Sequence, residues 1–454
     1  MKISVYMAAY NYADFIEEAI NSVINQTLDD WELIVINDGS TDDTEEVLKQ
    51  YESNQKIRII HQQNQGLNIT NNIALRLARG QYIMRLDADD YLDENALSVL
   101  SDSLDRNKEF DLVFPDYYEV DEHGKVLDLI RRDKLDDDVE ILDLPAHGAC
   151  TMFRTNTLKR LGGYIEDFQC QDGYELWLRF IQKYKPKNIN IPLFYYRQHS
   201  KSLTKNKKKI LDTRREIKKR FVKRELNGKL PKVVAIIPAS RQTNYVKNDA
   251  LIDMCGKPLI WYTISEALKC KSFEEIIISS GDDDVLEFSK NFENLTLHKR
   301  SPEIDTNSRR GDLGLDALQS LSKIDRASID YVCFLNVNSP MRTVEHIDWA
   351  INTLMIFNVD NVISVDEELN NLFLHGESGL SPVTNSDSII KLERDTLYRE
   401  NGAITIIHID NLFDESSKKK TGHITLLPQE SVRINSDFEF WLAEKLLEDK
   451  STDI

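Results

Sequence analysis

Two carboxylates separated by one residue stand at the end of a strand-like segment in the first half of the chain. Residues 80–92 read GQYIMRLDADDYL, so Asp87 and Asp89 follow an apolar run that predicts a buried strand. Both carboxylates can reach one hard cation, and Mg²⁺ or Mn²⁺ prefers such oxygen ligands and keeps positions for phosphate. The motif alone is not specific, because acidic turns are common. Arg85 is either a phosphate contact or an ion-pair partner at the rim of the core.

A third carboxylate stands in the same context about 50 residues earlier. Residues 31–44 read WELIVINDGSTDDT, which predicts a buried strand that runs into Asp38. The carboxyl ends of strands face the ligand crevice of open parallel sheets, so Asp38 can accept hydrogen bonds from a nucleobase or a ribose. An ordinary strand-turn-helix explains this stretch equally well. The two acidic strand ends together predict a site for a nucleotide and a divalent cation.

The elements that must position these residues occur in both halves of the chain. Apolar runs at 2–7 and 232–237 each predict a first strand, and further runs at 32–36 and 275–279 each predict a second. Runs of this length, spaced by amphipathic helices, are typical of parallel β-α-β units. The sequence therefore predicts an α/β fold with two Rossmann-like domains in tandem, each a mainly parallel sheet flanked by helices.

A basic segment separates the two predicted domains. It reads KNKKKILDTRREIKKRFVKRELNGKL and is rich in helix formers, which predicts one helix that ends near Asn227. We predict a first domain over residues 1–204, this helical linker over 205–230 and a second domain over 231–454. The helix either packs on the first domain with its basic face in solvent or brings that face to an anionic membrane surface.

Composition argues against several classes of protein. The 454 residues carry a net charge of -19, which argues against a general nucleic-acid binder. The five cysteines are scattered, which indicates reduced thiols rather than a disulfide framework or a zinc site. The sequence shows neither a signal-peptide pattern nor an apolar run of about 18 residues that would span a membrane. We therefore expect a cytoplasmic protein.

An ordered set of motifs over residues 1–205 resembles the family 2 glycosyltransferases, whose fold is of the GT-A type. The set comprises Ala9-Tyr10-Asn11, Ile24 to Thr27, Asn37 to Thr41, Gly66 to Gly80, Asp87 to Asp90, Gly162 to Tyr164, Gln171 to Arg179 and Tyr196 to His199. The resemblance implies a metal-assisted transfer of a sugar from a nucleotide-diphosphate donor. The acceptor would be a glycan, a lipid-linked molecule or a protein.

The resemblance also implies roles for residues at the matching positions. Asp87 and Asp89 would bind the cation, Mg²⁺ or Mn²⁺, and the diphosphate. His199 is either a phosphate contact or a satisfied structural histidine. The residues implied at the nucleoside are Ala9, Tyr10, Asn11 and Asp38.

A general base for an inverting displacement is implied in the segment that begins at Gln171. The family usually carries two adjacent carboxylates there, whereas this chain has Asp172 followed by glycine, with Glu175 further on. Asp172 is the candidate base, and a helix N-cap is its structural alternative. Glu175 is the reserve candidate, and an ion pair with Arg179 one turn later is its alternative.

The second half, over residues 232–450, resembles the cytidylyltransferases that make CMP-activated nine-carbon acidic sugars. The landmarks are Lys232 to Ser240, Gly256 to Ile264, Arg300 to Glu303, Leu335 to Arg342, Asn401 to Ile404 and Val432 to Asn435. The resemblance implies CTP or a CMP-sugar as the ligand. The implied nucleotide contacts are Arg241, Lys247, Asn338, Arg342 and Asn435.

Two departures from that family affect its chemistry. The loop after the first strand lacks the expected Ser-Lys-Gly stretch, and a metal-binding segment expected to read I-D-I-D reads Val-Arg-Ile-Asn at 432–435. Arg433 puts a positive charge where a metal ligand is expected, and Asn435 is a weaker, neutral ligand. The second half is therefore either an active synthetase, which would make the protein bifunctional, or a non-catalytic nucleotide-binding or assembly module.

For the whole chain we predict a glycosyltransferase of polysaccharide biosynthesis. It would act in the cytoplasm or at the inner face of the membrane, where a lipid-linked acceptor would lie. We favour separate substrates for the two halves over a protein whose second half makes a CMP-sugar that its first half then transfers. The D-x-D motif of the first half suits a diphosphate leaving group, whereas a CMP-sugar carries only one phosphate. A homo-oligomer is an open alternative.

Overall fold

The computed structural model describes residues 1–131, 148–168, 171–199, 207–226, 230–241, 249–304, 308–322, 324–368, 370, 372–376, 379–383, 397–412 and 419–452. They form two compact units, with Met1–Arg214 in the first and the described residues from Arg215 onward in the second. Each unit combines a sheet with flanking helices. The predicted fold class, two α/β domains in tandem, is confirmed.

Four parallel strands form one side of the sheet in the first unit, in the order β3-β2-β1-β4. They are β1 (Ile3–Ala9), β2 (Trp31–Asp38), β3 (Ile57–Gln62) and β4 (Tyr82–Arg85). Alternate residues of β1 enter different core clusters, with Ile3 and Val5 in one and Tyr6 in the other. Both faces of the sheet are therefore buried at its centre, which is why β1 and β2 read as mostly apolar runs.

The sheet continues from β4 through strands of mixed direction. These are β5 (Tyr91–Leu92), β6 (Phe110–Val120), β7 (Val126–Ile130), β8 (Met152–Arg154) and β9 (Lys185–Arg197). Strand β8 pairs antiparallel with β4 and β6, while β9 runs parallel to β6. The helices of this unit are α1 (Ile16–Ile24), α2 (Thr44–Lys49), α3 (Leu67–Leu77), α4 (Ala96–Arg106), α5 (Thr155–Arg160) and α6 (Asp172–Ile181).

Helix α7 (Lys207–Glu225) contains most of the basic linker. From Arg215 onward it packs in the second unit, where the Lys218 ammonium donates to Thr353 Oγ1 at 3.0 Å and lies 5.1 Å from the Phe357 ring centroid. The prediction that the helix packs on the first domain is wrong for this part, because its apolar side is buried within the second unit. Contact of its exposed basic residues with a membrane stays a prediction. Within the described residues, no helix combines the length and apolar character that crossing a membrane requires.

The main sheet of the second unit has the order β14-β13-β10-β15-β19-β16-β20. Its strands are β10 (Val233–Ala239), β13 (Phe273–Ser280), β14 (Thr296–Lys299), β15 (Tyr331–Phe334), β16 (Asn361–Glu368), β19 (Leu397–His408) and β20 (Thr421–Thr425). Two small antiparallel pairs are β11 (Asp253–Met254) with β12 (Lys257–Pro258) and β17 (Phe373–Gly376) with β18 (Gly379–Pro382). The helices are α8 (Leu259–Lys269), α9 (Asp283–Ser289), α10 (Arg310–Leu318), α11 (Val344–Phe357) and α12 (Asp437–Thr452).

An ion-pair network in the second unit joins α7 to the loop before α12. Glu430 Oε2 accepts a hydrogen bond from the Leu427 N–H at 3.0 Å and lies 3.2 Å from Arg215 Nη2. Glu430 Oε1 lies 3.4 Å from His346 Nε2. Burial opposes ionisation of Glu430, but the hydrogen bonds from His346 and Leu427 and the nearby positive charges outweigh it and lower its pKa to about 2.

We expect Glu430→Gln to destabilise the second unit at pH 7 by about 1–3 kcal/mol, because it removes a charge that several donors stabilise. The folded-state pKa lies below the unfolded value, so this stabilisation is fully present above about pH 4.5 and is lost as the pH falls toward 2. Urea unfolding should therefore show a smaller effect of the substitution at pH 3.5 than at pH 7. A matched control is Glu287→Gln, which removes an exposed pair with Lys290 and should change little. An effect of Glu430→Gln that is the same at both pH values would contradict this assignment.

Candidate functional site

A cavity of about 450 Å³ lies at the carboxyl ends of β1, β2 and β4 in the first unit. The three strands are parallel and in register, with Ala9 beside Asn37 and Tyr6 beside Arg85, so their ends meet at one edge of the sheet. Seven residues singled out from the sequence line this cavity: Ala9, Tyr10, Asn11, Asp38, Arg85, Asp87 and Asp89. Sequence reasoning assigned no role to other lining residues, among them Tyr12, Asn64, Leu67 and Tyr196, although Leu67 and Tyr196 belong to motifs that it singled out.

Asn11 ties the loop after β1 to the loop after β2. Its backbone is in the left-handed region at φ 63°, which asparagine tolerates better than most residues. Its side-chain oxygen accepts a hydrogen bond from the Thr41 N–H at 2.7 Å, and its own N–H donates to Ser40 Oγ at 3.0 Å. The neighbouring Tyr10 is 46% exposed, which leaves its ring accessible to a ligand at the mouth of the cavity.

Asp38 organises a third loop of the cavity. Its Oδ1 accepts hydrogen bonds from the Gln65 N–H at 2.8 Å and from Gln62 Nε2 at 2.7 Å, and its Oδ2 accepts one from the Gly66 N–H at 2.9 Å. The side chain is buried as well as lining the cavity. The carboxylate therefore fixes the position of residues 64–67, which form another part of the wall.

If the cavity binds a nucleotide, as the sequence predicts, we expect Asp38→Ala to weaken that binding by about 10-fold, because three N–H groups lose their acceptor and the loop loses its anchor. Asp38→Asn keeps one carbonyl oxygen and should have a smaller effect. Isothermal titration with a panel of nucleoside diphosphates, UDP, GDP and dTDP, measures this change. Asp102→Ala is the control, since Asp102 lies on α4 in an exposed pair with Arg106. An unchanged affinity in Asp38→Ala would show that the loop does not contribute to binding.

Three carboxylates cluster at the end of β4. Ligand oxygens of Asp87, Asp89 and Asp90 all lie within 4.8 Å of one another. Burial and the charge of Asp87 raise the pKa of Asp89, and burial and the charge of Asp89 raise the pKa of Asp90. A partly buried group of carboxylates that repel one another fits a divalent cation, whose charge offsets both effects. Asp90 was not among the predicted ligands, although it is the last residue of the D-A-D-D motif.

Arg85 contacts the first carboxylate of the cluster from the wall of the cavity. Its Nε lies 2.5 Å from Asp87 Oδ1. A Cβ atom added at Gly148 would lie 3.3 Å from Arg85 Nη1, so the glycine leaves room for the guanidinium. The Cys150 N–H donates to the Arg85 carbonyl at 2.8 Å and holds this loop against β4. Arg85 is therefore an ion-pair partner, as one of its two alternatives predicts, and it also lines the cavity. Its contact with a phosphate stays a prediction.

His199 lies against the second carboxylate of the cluster. Its Nε2 is 2.9 Å from Asp89 Oδ2, and its side chain is 3% exposed. The imidazole packs against the rings of Phe15, with centroids 5.1 Å apart, and Tyr12, with centroids 6.4 Å apart. This arrangement lets His199 donate a hydrogen bond that orients Asp89.

Arg197 holds the backbone of the acidic cluster. It is almost fully buried, its N–H donates to Asp90 Oδ1 at 2.9 Å and its Nε donates to the Asp89 carbonyl at 2.9 Å. The guanidinium also donates to the Glu122 carbonyl at 2.9 Å and pairs with Glu18 at 2.5 Å. Sequence reasoning singled out the motif that contains Arg197 but assigned this residue no role.

A second cavity, of about 330 Å³, lies in the second unit at the carboxyl ends of β10 and β15. Asn338 lines it, as the sequence predicts for a ligand contact. Arg241 is outside its wall and forms ion pairs with Asp249 at 3.2 Å and Asp284 at 2.6 Å. Lys247 lies outside the described residues.

Arg342 and Asn435, the two other residues predicted to contact a ligand in the second unit, form hydrogen bonds with groups of the protein. Arg342 is 1% exposed, and its guanidinium donates to the carbonyls of Asn336 and Ala403 and to Thr263 Oγ1 at 2.7–3.0 Å. Burial lowers the pKa of Arg342 to about 10. The Asn435 side chain donates to the Arg433 carbonyl at 3.3 Å. The burial of Arg342 favours support of the fold over direct contact with a ligand, whereas contact of the half-buried Asn435 with a ligand stays a prediction.

Comparison with known proteins decides the family. The family model described as "Glycosyl transferase family 2" matches residues 4–162. The "Uncharacterized glycosyltransferase MJ1057" of Methanocaldococcus jannaschii is 31% identical over 204 residues, which cover 43% of this chain and 70% of that protein. The chain belongs to glycosyltransferase family 2. A second family model, described as "Cytidylyltransferase", matches residues 234–445, so the second unit is a cytidylyltransferase-like domain.

Longer relatives match the glycosyltransferase unit in part. Chondroitin synthase of Escherichia coli is 29% identical over 198 residues, 41% of this chain and 28% of that protein. Hyaluronan synthase of Pasteurella multocida is 31% identical over 195 residues, 41% of this chain and 19% of that protein. The chain thus spans less than a third of the length of these relatives. The crystal structure of S. aureus TarS 1–349 in complex with UDP-GlcNAc has 19% identity and a TM-score of 0.43, covering 49% of this chain and 67% of that chain.

Glu175 of the glycosyltransferase unit is engaged in a buried ion pair. Its two carboxylate oxygens accept hydrogen bonds from Arg179 Nε at 2.7 Å and Nη2 at 2.6 Å. Arg179 also donates to the carbonyls of Leu161 and Gly163 at 2.5 and 2.7 Å. The structure therefore favours the structural alternative for the reserve candidate, since Glu175 holds the arginine that anchors the loop before α6.

Asp172 is the first residue of α6, and its side chain lies outside the described part of the structure. The preceding Gln171 has a left-handed backbone at φ 60°, an unusual conformation that is common near functional sites. A Cβ atom added at Gly173 would lie 3.9 Å from the Gly148 Cα atom, and Gly148 in turn borders Arg85. The first turn of α6 is thus next to the wall of the cavity that carries the acidic cluster.

Proposed function

We propose that the first unit transfers a sugar from a nucleotide-diphosphate donor to a hydroxyl group of an acceptor, with inversion at the anomeric carbon. The observation that carries this proposal is the cluster of Asp87, Asp89 and Asp90 at the wall of the strand-end cavity. The acceptor would be a glycan, a lipid-linked molecule or a protein. The matches to chondroitin synthase and hyaluronan synthase support polysaccharide biosynthesis as the setting.

The cavity has two chemically different sides that fit such a donor. The loop Ala9-Tyr10-Asn11 and the loop anchored by Asp38 offer backbone groups and an exposed ring to the nucleoside. Arg85 and the acidic cluster lie on the other side and would face the diphosphate. A volume of about 450 Å³ is within the range of small-molecule sites.

The acidic cluster would hold Mg²⁺ or Mn²⁺ through Asp87 and Asp89. When bound, the cation neutralises the charge that develops on the diphosphate leaving group. His199 and Arg197 keep Asp89 and Asp90 in place through the hydrogen bonds described above, so the ligands need little rearrangement. Arg85 adds a positive charge next to Asp87.

The chemical step would be one displacement. The acceptor oxygen forms a bond to the anomeric carbon while the bond from that carbon to the diphosphate oxygen breaks, and the electron pair leaves with the nucleoside diphosphate. Asp172 would take the proton of the acceptor hydroxyl as the general base. The first turn of α6 borders Gly148, which in turn borders Arg85 of the cavity wall, and this proximity supports the role.

A donor screen tests the proposal. The protein is incubated with Mn²⁺ and a panel of UDP-, GDP-, dTDP- and CMP-sugars, with and without oligosaccharide acceptors, and free nucleotide is followed. Release of one nucleoside diphosphate, increased by an acceptor, is the expected result. Release of CMP alone would contradict the diphosphate donor and would favour a pathway based on a CMP-sugar.

A further inference from the structure

The cavity of the second unit is lined by positive charge. Arg300, Arg310 and Arg433 all contribute to its wall, and the described lining residues include neither aspartate nor glutamate. Arg300 is 6% exposed and is held by the Ser279 carbonyl, to which its Nη2 donates at 2.7 Å. Arg310 also forms an ion pair with Glu400 at 2.7 Å, which offsets part of this charge. A cavity with three guanidinium groups, one of them in an ion pair, is suited to an anion with several oxygens.

Gly402 leaves room for the guanidinium group of Arg433. A Cβ atom added at Gly402 would lie 3.2 Å from Arg433 Nη1, and the backbone of Gly402 is left-handed at φ 73°. Asn336 Nδ2 donates to the Gly402 carbonyl at 2.7 Å and borders the same space. Within the described part of the chain, Arg433 forms no ion pair. Its charge is therefore available to a ligand in the cavity.

The divalent cation that a cytidylyltransferase would use does not fit the residues at this cavity. Arg433 occupies the position of one expected carboxylate. Glu439 does not replace it, because its Oε2 accepts hydrogen bonds from the Asn435 N–H at 2.7 Å and from Ser436 Oγ at 3.1 Å and so caps the start of α12. Across the described residues, the acidic cluster able to hold a metal ion is the one in the first unit.

Apolar and polar lining residues of the same cavity suit the uncharged part of a nucleotide. Pro238, Leu313 and Phe334 present apolar surface. Asn338 is 8% exposed, and its Oδ1 has no hydrogen-bond partner among the described residues. This oxygen can accept a hydrogen bond from a base amino group or a ribose hydroxyl. The wall thus combines an apolar face, a polar acceptor and a cationic face.

We propose that the second unit binds a nucleotide through this cavity without a divalent cation, with Arg433 supplying the positive charge that the cation would otherwise supply. The unit then acts as a binding module, and no bond of the nucleotide is made or broken there. This inference is independent of glycosyl transfer in the first unit, because it depends on residues of the second unit alone.

Isothermal titration of the full chain with CMP and with CTP, in EDTA, tests the proposal. We expect saturable binding that Arg433→Ala weakens by at least about 10-fold, since one charged hydrogen-bonding group is lost. Arg433→Lys keeps the charge, so its affinity for the nucleotide should fall between those of the wild type and Arg433→Ala. Arg326→Ala is the matched control, because Arg326 is exposed in the same unit and does not line the cavity. Circular dichroism establishes that each variant is folded.

Three results would overturn the proposal. The first is that the wild-type chain binds neither nucleotide in EDTA. The second is equal binding by Arg433→Ala and Arg326→Ala, which would place the nucleotide elsewhere. The third is evidence of a functional metal site in the second unit. Such evidence would be that the binding that depends on Arg433 requires Mg²⁺, or that pyrophosphate is released from CTP when a nine-carbon acidic sugar is supplied.

Discussion

Asp89→Ala is expected to reduce release of the nucleoside diphosphate from the donor by about 1000-fold in the presence of Mn²⁺. The substitution removes a carboxylate from the acidic cluster and leaves His199 without the group it orients. Loss of a group that stabilises charge on the leaving diphosphate typically costs factors of this size. Nucleotide release by wild type and variant, at saturating donor and across a range of Mn²⁺ concentrations, measures the effect.

Two further comparisons separate a metal ligand from a structural residue. His199→Ala should raise the Mn²⁺ concentration needed for half-maximal activity by about 10- to 100-fold, because it removes the partner of a ligand rather than the ligand. Asp102→Ala changes an exposed carboxylate of the same unit and should leave activity unchanged. Wild-type activity that persists in EDTA, or an Asp89→Ala variant with normal turnover, would contradict the assignment of the metal site.

The strands that carry the site were predictable because each is buried on both faces. The run at 2–7 overlaps β1 from Ile3 onward, the run at 32–36 lies within β2 and the run at 275–279 lies within β13, and each is mostly apolar. The parallel pairing of these strands with their neighbours follows from this pattern. The position of β8 between β4 and β6 does not follow from it, because pairing between strands far apart in sequence depends on the packing of the whole unit.

The strand-end residues of the site were predictable for the same reason, whereas their partners were not. Asp87 and Asp89 follow a buried strand directly, so their location at the crevice follows from the strand. Arg197 is more than 100 residues away from Asp89 in sequence, and only the path of β9 brings the two together. The burial of a charged side chain is equally difficult to predict from the sequence. Arg342 is an example, because it belongs to a polar-looking segment and yet lies in the core.

The role of Glu439 illustrates a local effect that the pattern of residues did not reveal. From the sequence, Asp437 or Glu439 could replace the missing metal ligand at Arg433 only with a change of register. In the structure the Glu439 carboxylate accepts hydrogen bonds at the start of α12, which are typical of a helix N-terminus. Spacing alone cannot separate a helix cap from a ligand, because both need an oxygen at the end of a loop.

Asp172→Asn is expected to reduce sugar transfer to the acceptor by about 100- to 10,000-fold, the range that general-base catalysis contributes. The amide is similar in size to the carboxylate but cannot accept the acceptor proton. Affinity for the donor nucleotide should change little, because the nucleoside side of the cavity is formed by other elements. Single-turnover transfer to an oligosaccharide acceptor, together with titration of the nucleotide, separates the two quantities.

Glu175→Gln is the decisive comparison for that variant, since both residues were candidates for the same role. Removing one charge of the buried Glu175–Arg179 pair should cost about 3–5 kcal/mol of stability, because Arg179 stays buried without its partner. We therefore expect a large loss of thermal stability in Glu175→Gln, with transfer activity preserved in the fraction that stays folded at low temperature. The reverse pattern, with a stable but inactive Glu175→Gln and an active Asp172→Asn, would assign the base to Glu175. Such a result would also require the ion pair to open when the acceptor binds, because in this structure both oxygens of Glu175 are bound to Arg179.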